Sequence, residues 1–165
     1  MEGVELNSSF SKLFKDRSVF ITGHTGFKGS WLSLWMYKLG AQVTGYSLLP
    51  PTIPSNFEAS GVKGVLKYHH EADIRDFSKL YSALKASDPE VIFHLAAQSL
   101  VLESYFSPRE TFDVNVMGTA CLLEGVRLLK RPCVVIVVTS DKCYENNGQV
   151  QAFREDDPVG GHDPY

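Results

Sequence analysis

Ser18-Val19-Phe20-Ile21-Thr22-Gly23-His24-Thr25-Gly26-Phe27-Lys28-Gly29 is the stretch that decides the fold. Its opening residues are β-branched or aromatic, the composition of a buried strand. The run then meets glycines at 23, 26 and 29 and continues as a helical pattern from Phe27. Phe27, Trp31, Leu34 and Trp35 form one face of that helix, and Gly40 stands where a C′ glycine ends it. Glycines at this spacing, GxxGxxG, permit a tight turn, let backbone N–H groups approach a diphosphate and let the helix pack closely on the sheet. The helix N-terminus adds partial positive charge. The same glycines can also serve only to turn a strand into a helix. The motif speaks for a nucleotide and is silent on a reaction.

Outward from this turn, short apolar runs alternate with amphipathic ones. Gln42 to Tyr46 reads as a second strand, Leu48 to Gly61 as a loop with Pro50, Pro51 and Pro54, and Val65 to Tyr68 as a weak third strand. Asp76 caps a helix with Phe77, Leu80, Tyr81 and Leu84 at helical spacing, and Asp88-Pro89 breaks it. Glu90 to Leu95 is a fourth strand. Ser107-Pro108-Arg109-Glu110 is a capping box that opens a helix to about Leu129. Cys133 to Val138, rich in Val and Ile, reads as a central parallel strand, and Gly148 to Tyr165 as polar loop. The alternation predicts an α/β fold, a doubly wound parallel sheet of Rossmann type in the order 3-2-1-4-5. The ligand crevice then lies at the carboxyl ends of strands one and four.

Composition narrows the function classes. The chain has 165 residues, 44% of them apolar and 12% aromatic, which excludes a disordered acidic tail. A formal net charge of -3 provides no basic field for nucleic acid. Three cysteines (Cys121, Cys133 and Cys143), an odd number without a CxxC pair, give no disulfide framework and no structural zinc site. Met1 to Arg17 lacks a continuous apolar core, so it is not a secretory signal. No stretch approaches the roughly 20 apolar residues of a membrane helix. The expectation is a soluble cytoplasmic protein. His69-His70 reads as solvated, and no metal site is expected.

Beyond the glycine turn, four segments carry chemistry. In His94-Leu95-Ala96-Ala97-Gln98 the small alanines at the strand end leave room for a flat ligand, or simply pack tightly. Asp73-Ile74 follows strand three, where the carboxylate could fix an adenine amino group or stay a solvated turn residue. Val138-Thr139-Ser140-Asp141-Lys142-Cys143-Tyr144 gathers hydroxyls, a carboxylate and an ammonium at the edge that also holds the glycine turn. Asn115, among apolar neighbours, must find partners in a water or a backbone near the site, or in a purely structural setting.

These segments together, in this order and with Asn115-Val116-Met117-Gly118-Thr119, resemble the extended short-chain dehydrogenase/reductases, the NAD-dependent epimerase/dehydratase family. Lys28-Gly29-Ser30-Trp31, Gly45-Tyr46-Ser47-Leu48, Ser140-Asp141-Lys142 and Gly160-Gly161-His162-Asp163-Pro164-Tyr165 narrow the resemblance to sugar-nucleotide 4,6-dehydratases, among them those acting on CDP-glucose. The resemblance implies NAD, with NADP open, held by Thr22, Gly23, Thr25, Gly26, Phe27, Lys28, Gly29, Ser47, Asp73, Ile74, Leu95, Ala96, Ala97 and Gln98. Tyr46-Ser47 ends strand two with neither the acidic residue nor the arginine that would decide between the cofactors.

The implied chemistry is a redox-neutral elimination. Tyr165 takes the proton of the sugar 4-hydroxyl, Lys142 acts as base at C5, Asp141 as acid on the 6-hydroxyl, and Ser140 with Thr139 hydrogen-bonds the 4-oxygen. Asn115 stands by through a water or backbone. A phenol of ordinary pKa about 10 must be lowered by positive charge, and an amine base requires burial or a cationic neighbour.

Two departures stand out. The sequence stops at Tyr165, so the lysine that follows that tyrosine in the resembled family lies beyond it, as do the completion of the sheet and the substrate domain. The expectation is a truncated cofactor-binding domain over residues 1–165, the N-terminal half, inactive alone and homo-oligomeric at full length. Leu102-Glu103 stand near where the family has an arginine. Two other functions remain open. An epimerase of the same superfamily is one, although C4 epimerisation needs no Asp141-Lys142 pair. A non-catalytic dinucleotide-binding module is the other.

Overall fold

In the computed structural model, which describes residues 12–146, 148 and 151–165, the opening apolar run is strand β1 (Ser18–Thr22), buried from Val19 to Thr22. It is followed by helix α1 (Phe27–Lys38), β2 (Gln42–Ser47), a short α2 (Asn56–Ala59), β3 (Tyr68–Glu71), α3 (Phe77–Ser87) and β4 (Val91–His94). Then come α4 (Val101–Phe106), α5 (Pro108–Phe112), a π-turn (Asp113–Met117), α6 (Gly118–Leu129) and β5 (Val134–Val137). The absence of a secretory leader expected from the N-terminus concerns mainly residues 1–11, which lie outside the described residues, as do positions 147, 149 and 150.

The five strands pair in parallel in the order β3-β2-β1-β4-β5. This is the predicted doubly wound arrangement. Register aligns Thr22 with Tyr46 on one side and His94 on the other, so the strand ends that carry the site residues lie level. Period-two alternation divides β1 between two cores. Val19 and Ile21 pack with Met36, Leu39 and Val43 on the α1 side, while Phe20 packs with Leu80, Leu84, Ile92 and Leu122 on the side of α3 and α6. With both faces covered, the interior positions of β1 and β4 are mainly apolar, while β2 also buries Thr44 and Gly45.

Several local expectations need correction. The aromatic face of α1 points outward: Phe27 is 71% and Trp31 55% exposed, and the buried positions are Gly29, Ser30, Ser33 and Met36. The cause is proximity. A Cβ on Gly29 would lie 2.1 Å from the Gly23 carbonyl oxygen, and no large side chain fits between helix and loop. Ser30 and Ser33 tolerate burial because their hydroxyls donate to the Gly26 and Gly29 carbonyls, both at 2.8 Å.

The third strand begins at Tyr68, after a 3₁₀ turn at Val62–Val65, so of the segment expected to pair Val65 is helical and only Tyr68 is in the strand. The loop over Leu48 to Gly61 contains α2, N-capped by Ser55, whose Oγ accepts the Glu58 N–H at 3.2 Å and donates to Glu58 Oε2 at 3.1 Å. The capping box expected at Ser107 does not form by side chain, because Ser107 joins two helices. Its N–H donates to Glu103 and its carbonyl accepts from Thr111. Strand β5 is not central: among the described residues it pairs only with β4, and Val134 is 58% exposed. Val and Ile report strand propensity, not position in the sheet.

Candidate functional site

The turn after β1 is built for close approach. Gly23 has φ +72°, and a Cβ there would come within 2.7 Å of the Leu95 carbonyl and the Ala96 nitrogen, so the turn presses on the end of β4. The N-terminus of α1 carries no side-chain cap among the described residues and no acidic residue in its first turn. Its orphan N–H groups and partial positive charge fit a diphosphate. Thr25 Oγ1 donates to the Leu48 carbonyl at 2.8 Å and lies 2.8 Å from Ser47 Oγ, which therefore donates to it. This bond ties the glycine turn to the end of β2, where a ribose would lie.

His24, which the sequence reading left without a role, is fully buried in this turn. Its ring occupies the space above Gly45, where a Cβ would lie 2.4 Å from its Cδ2. Its Nε2 is 2.7 Å from His69 Nδ1, and His69 Nε2 is 3.0 Å from Glu71 Oε1. The Glu71 carboxylate accepts, so His69 donates to it and in turn accepts from His24. Burial, reinforced by His69, pushes the His24 pKa down to about 3, so the ring is neutral at pH 7. His69 and His70 are thus partly buried, not solvated as expected: His69 is held between two partners, and burial lowers the His70 pKa. Among the described residues no three His, Cys, Asp or Glu side chains are grouped to hold a metal ion. The signal that could have revealed His24 is its pairing with Gly45, visible only once β2 lies beside β1.

Thr22 links the two central strands. Its Oγ1 accepts the N–H groups of Leu95 and Ala96, both at 3.1 Å, and donates to His94 Nδ1 at 2.7 Å. His94 Nε2–H then donates to Thr119 Oγ1 at 3.0 Å, and Thr119 to the Asn115 carbonyl at 2.6 Å. Burial lowers the His94 pKa to about 4. Asn115, in the π-turn, grips the backbone of Gln98: Oδ1 accepts its N–H at 2.8 Å and Nδ2 donates to its carbonyl at 3.1 Å. This backbone contact is consistent with both readings of Asn115, a partner near the site and a structural one. The Gln98 side chain folds back on Leu100 and Thr111 and does not reach toward a ligand.

Asp73 and Ile74 are likewise engaged. The Asp73 carboxylate is held by Arg75, Nε to Oδ1 at 3.0 Å and Nη2 to Oδ2 at 2.6 Å, which lowers its pKa. The Tyr46 hydroxyl donates to the Asp73 carbonyl at 2.9 Å. Ile74 is a core residue packed against Gly118. Arg75, absent from the sequence reading, also reaches Glu110 and Asp113, tying this loop to α5 and the π-turn.

At the carboxyl ends of β4 and β5 a cavity of about 380 Å³ opens, lined by Ala96, Ala97, Thr139, Ser140, Lys142 and Tyr165 among others. Asn115 and Thr119 close one side. A 3₁₀ turn over Asp141–Cys143 begins at Ser140, whose Oγ accepts the Lys142 N–H at 3.1 Å and lies 3.3 Å from Asp141 Oδ1. Tyr165 reaches the cavity because the last segment is clasped to this turn. Tyr144 bridges Val159, Gly160 N–H donates to the Cys143 carbonyl at 3.0 Å, and Glu145 N–H to the Pro158 carbonyl at 2.9 Å. Lys142 does not meet the condition set for an amine base. It is half exposed, and Asp163, 3.1 Å from its Nζ, raises its pKa, where burial or a cation would have lowered it.

Residues 20–165 match the family model described as GDP-mannose 4,6 dehydratase. The chain belongs to that family. It is 50% identical over 92% of its length to a CDP-glucose 4,6-dehydratase of Salmonella typhimurium, and covers 42% of that relative. It is 36% identical over 90% of its length to a GDP-mannose 4,6-dehydratase of Yersinia enterocolitica, again covering 42%. Among solved structures, a UDP-glucose 4-epimerase of Brucella ovis in complex with NAD superposes with a TM-score of 0.75 at 26% identity, over 89% of this chain and 42% of that one. A UDP-glucose-4-epimerase of Stenotrophomonas maltophila superposes with a TM-score of 0.79 at 23% identity, over 90% and 44%. The chain thus spans less than half the length of these family relatives.

Proposed function

We propose that this chain is the cofactor-binding part, over residues 1–165, of a sugar-nucleotide 4,6-dehydratase that converts CDP-glucose to CDP-4-keto-6-deoxyglucose with tightly bound NAD, a hydro-lyase of deoxysugar and surface-polysaccharide synthesis. The observation that carries the reading is the cavity joining Ser140, Lys142 and Tyr165 at the sheet edge that also bears the glycine turn, in a chain half identical to a CDP-glucose 4,6-dehydratase. The uncapped N-terminus of α1 would hold the cofactor diphosphate, Ser47 and Thr25 the ribose side, and the Asp73–Ile74 backbone the adenine. NAD, when bound, supplies the acceptor for the C4 hydride that is later returned to C6.

This chain's residues do the rest. Tyr165 takes the 4-hydroxyl proton. Ser140, with Thr139, hydrogen-bonds the 4-oxygen. Asp141 protonates the departing 6-hydroxyl. Lys142 takes the C5 proton after it has left Asp163 and its ammonium has given up a proton to solvent, to which the side chain is half exposed. The protein works in the cytoplasm on a nucleotide sugar, with no nucleic acid or membrane partner, and as a homo-oligomer at full length.

Calorimetric titration of the chain with NAD, then with CDP-glucose, tests the reading. NAD binding that Gly23→Val abolishes is the expected result. A chain that takes up no NAD overturns the proposal. A full-length form that inverts C4 without losing water makes it an epimerase.

A further inference from the structure

The most buried acidic partner of any ion pair among the described residues is Asp163, whose side chain is 8% exposed while that of Lys142 is 48% exposed. The other carboxylates in such pairs are at least 32% exposed, the value for Asp73. A carboxylate this far from water needs partners for both oxygens, and Asp163 has them. Oδ2 lies 3.1 Å from Lys142 Nζ, and Oδ1 accepts the Tyr165 N–H at 3.1 Å.

We propose that Asp163 is a positioning residue of this site: one carboxylate oxygen holds the Lys142 ammonium and the other the Tyr165 backbone, so that both side chains enter the cavity at a fixed spacing. The local sequence makes the arrangement possible. Gly160 and Gly161 run beside the 3₁₀ segment, with the Gly161 position in ordinary contact range of the Lys142 carbonyl oxygen. The Tyr144–Val159 bridge and the Gly160 to Cys143 bond then bring residue 163 to residue 142 across 21 positions. The rigid partner is the carboxylate, and the flexible lysine comes to it. The pair also keeps Lys142 cationic, so Asp163 decides when that amine is free to accept a proton. Tyr105 and Asp141 are the other groups acting on the lysine charge, and both favour the ammonium form.

This inference rests on the proposed function for its purpose but not for its test. The test is NMR on the 165-residue chain, with the Lys142 side-chain signal assigned by its loss in Lys142→Met. In the parent chain Lys142 titrates above the other exposed lysines. In Asp163→Asn it falls back among them, while the Tyr165 amide keeps its position because the amide oxygen still accepts. In Asp163→Ala the Tyr165 amide exchanges faster as well. A Lys142 titration unmoved in a folded Asp163→Asn chain overturns the proposal. Should either Asp163 variant fail to fold, a nuclear Overhauser contact in the parent chain decides: the Lys142 methylene protons next to Nζ lie close to the Asp163 β-protons if the pair is real, and show no such contact if it is not. None of these readouts needs substrate. A chain that shows the clamp but binds no NAD refutes the dehydratase reading alone, and one that binds NAD without the clamp refutes this inference alone.

Discussion

At the scale of single residues, the glycine turn depends on an exchange of volume between two strands. His24 occupies the space that any side chain at position 45 would need. Gly45→Ala is therefore expected to destabilise the chain by about 1–3 kcal/mol, the usual cost of overpacking, read as a lower urea midpoint at unchanged slope. A midpoint equal to that of the parent would contradict the packing. Buried neutral histidines make a second prediction. The His94 pKa is about 4 in the fold against 6.5 for an unperturbed ring. The unfolded chain thus binds the extra proton throughout that interval, and the folded state loses stability as pH falls from 6.5 toward 4. The slope is at most about 1.4 kcal/mol per pH unit for each such histidine. Urea unfolding at a series of pH values should show this loss, and His94→Asn should flatten it.

At the scale of elements, the π-turn between α5 and α6 turns Asn115 toward the loop after β4. A π-turn inserts one residue into helical register and recurs near functional sites. Here it lets one side chain satisfy both backbone groups of Gln98. Asn115→Ala leaves that N–H and carbonyl without their partner. The expected cost is about 1–3 kcal/mol, with faster hydrogen exchange at the Gln98 amide and weaker NAD binding. Unchanged exchange would mean that the loop is held by other contacts. Arg75 acts on the same segment from the other side, through Asp113 at the start of the π-turn.

At the scale of the whole molecule, the sheet places both proposed functions of the chain on one edge, with the cofactor turn after β1 and the catalytic cluster after β5. It also leaves β5 with one unpaired edge among the described residues, and Ile136 and Val134 there are 41% and 58% exposed. Unpaired apolar edges template further pairing. The purified chain is expected to lose solubility on concentration or warming, and Ile136→Lys to delay the onset of turbidity. Equal turbidity in the two chains would show that the edge is harmless.

The sequence by itself determined the strand order, the glycine turn and the cluster from Thr139 to Lys142, because strand period, turn chemistry and crossover handedness are local or nearly universal. It also carries a Ser55-x-x-Glu58 signal that a loop over Leu48 to Gly61 passes over, and a third strand that lies three residues later than Val65. Only the tertiary structure decided which face of α1 is buried, since the approach of Gly29 to Gly23 outweighs the pull of the aromatic residues to the core. It alone joined His24 to His69 across 45 positions and Lys142 to Asp163 across 21. Such pairs depend on which elements lie side by side, and a polar residue reads the same in the chain whether its partner is water or a buried charge.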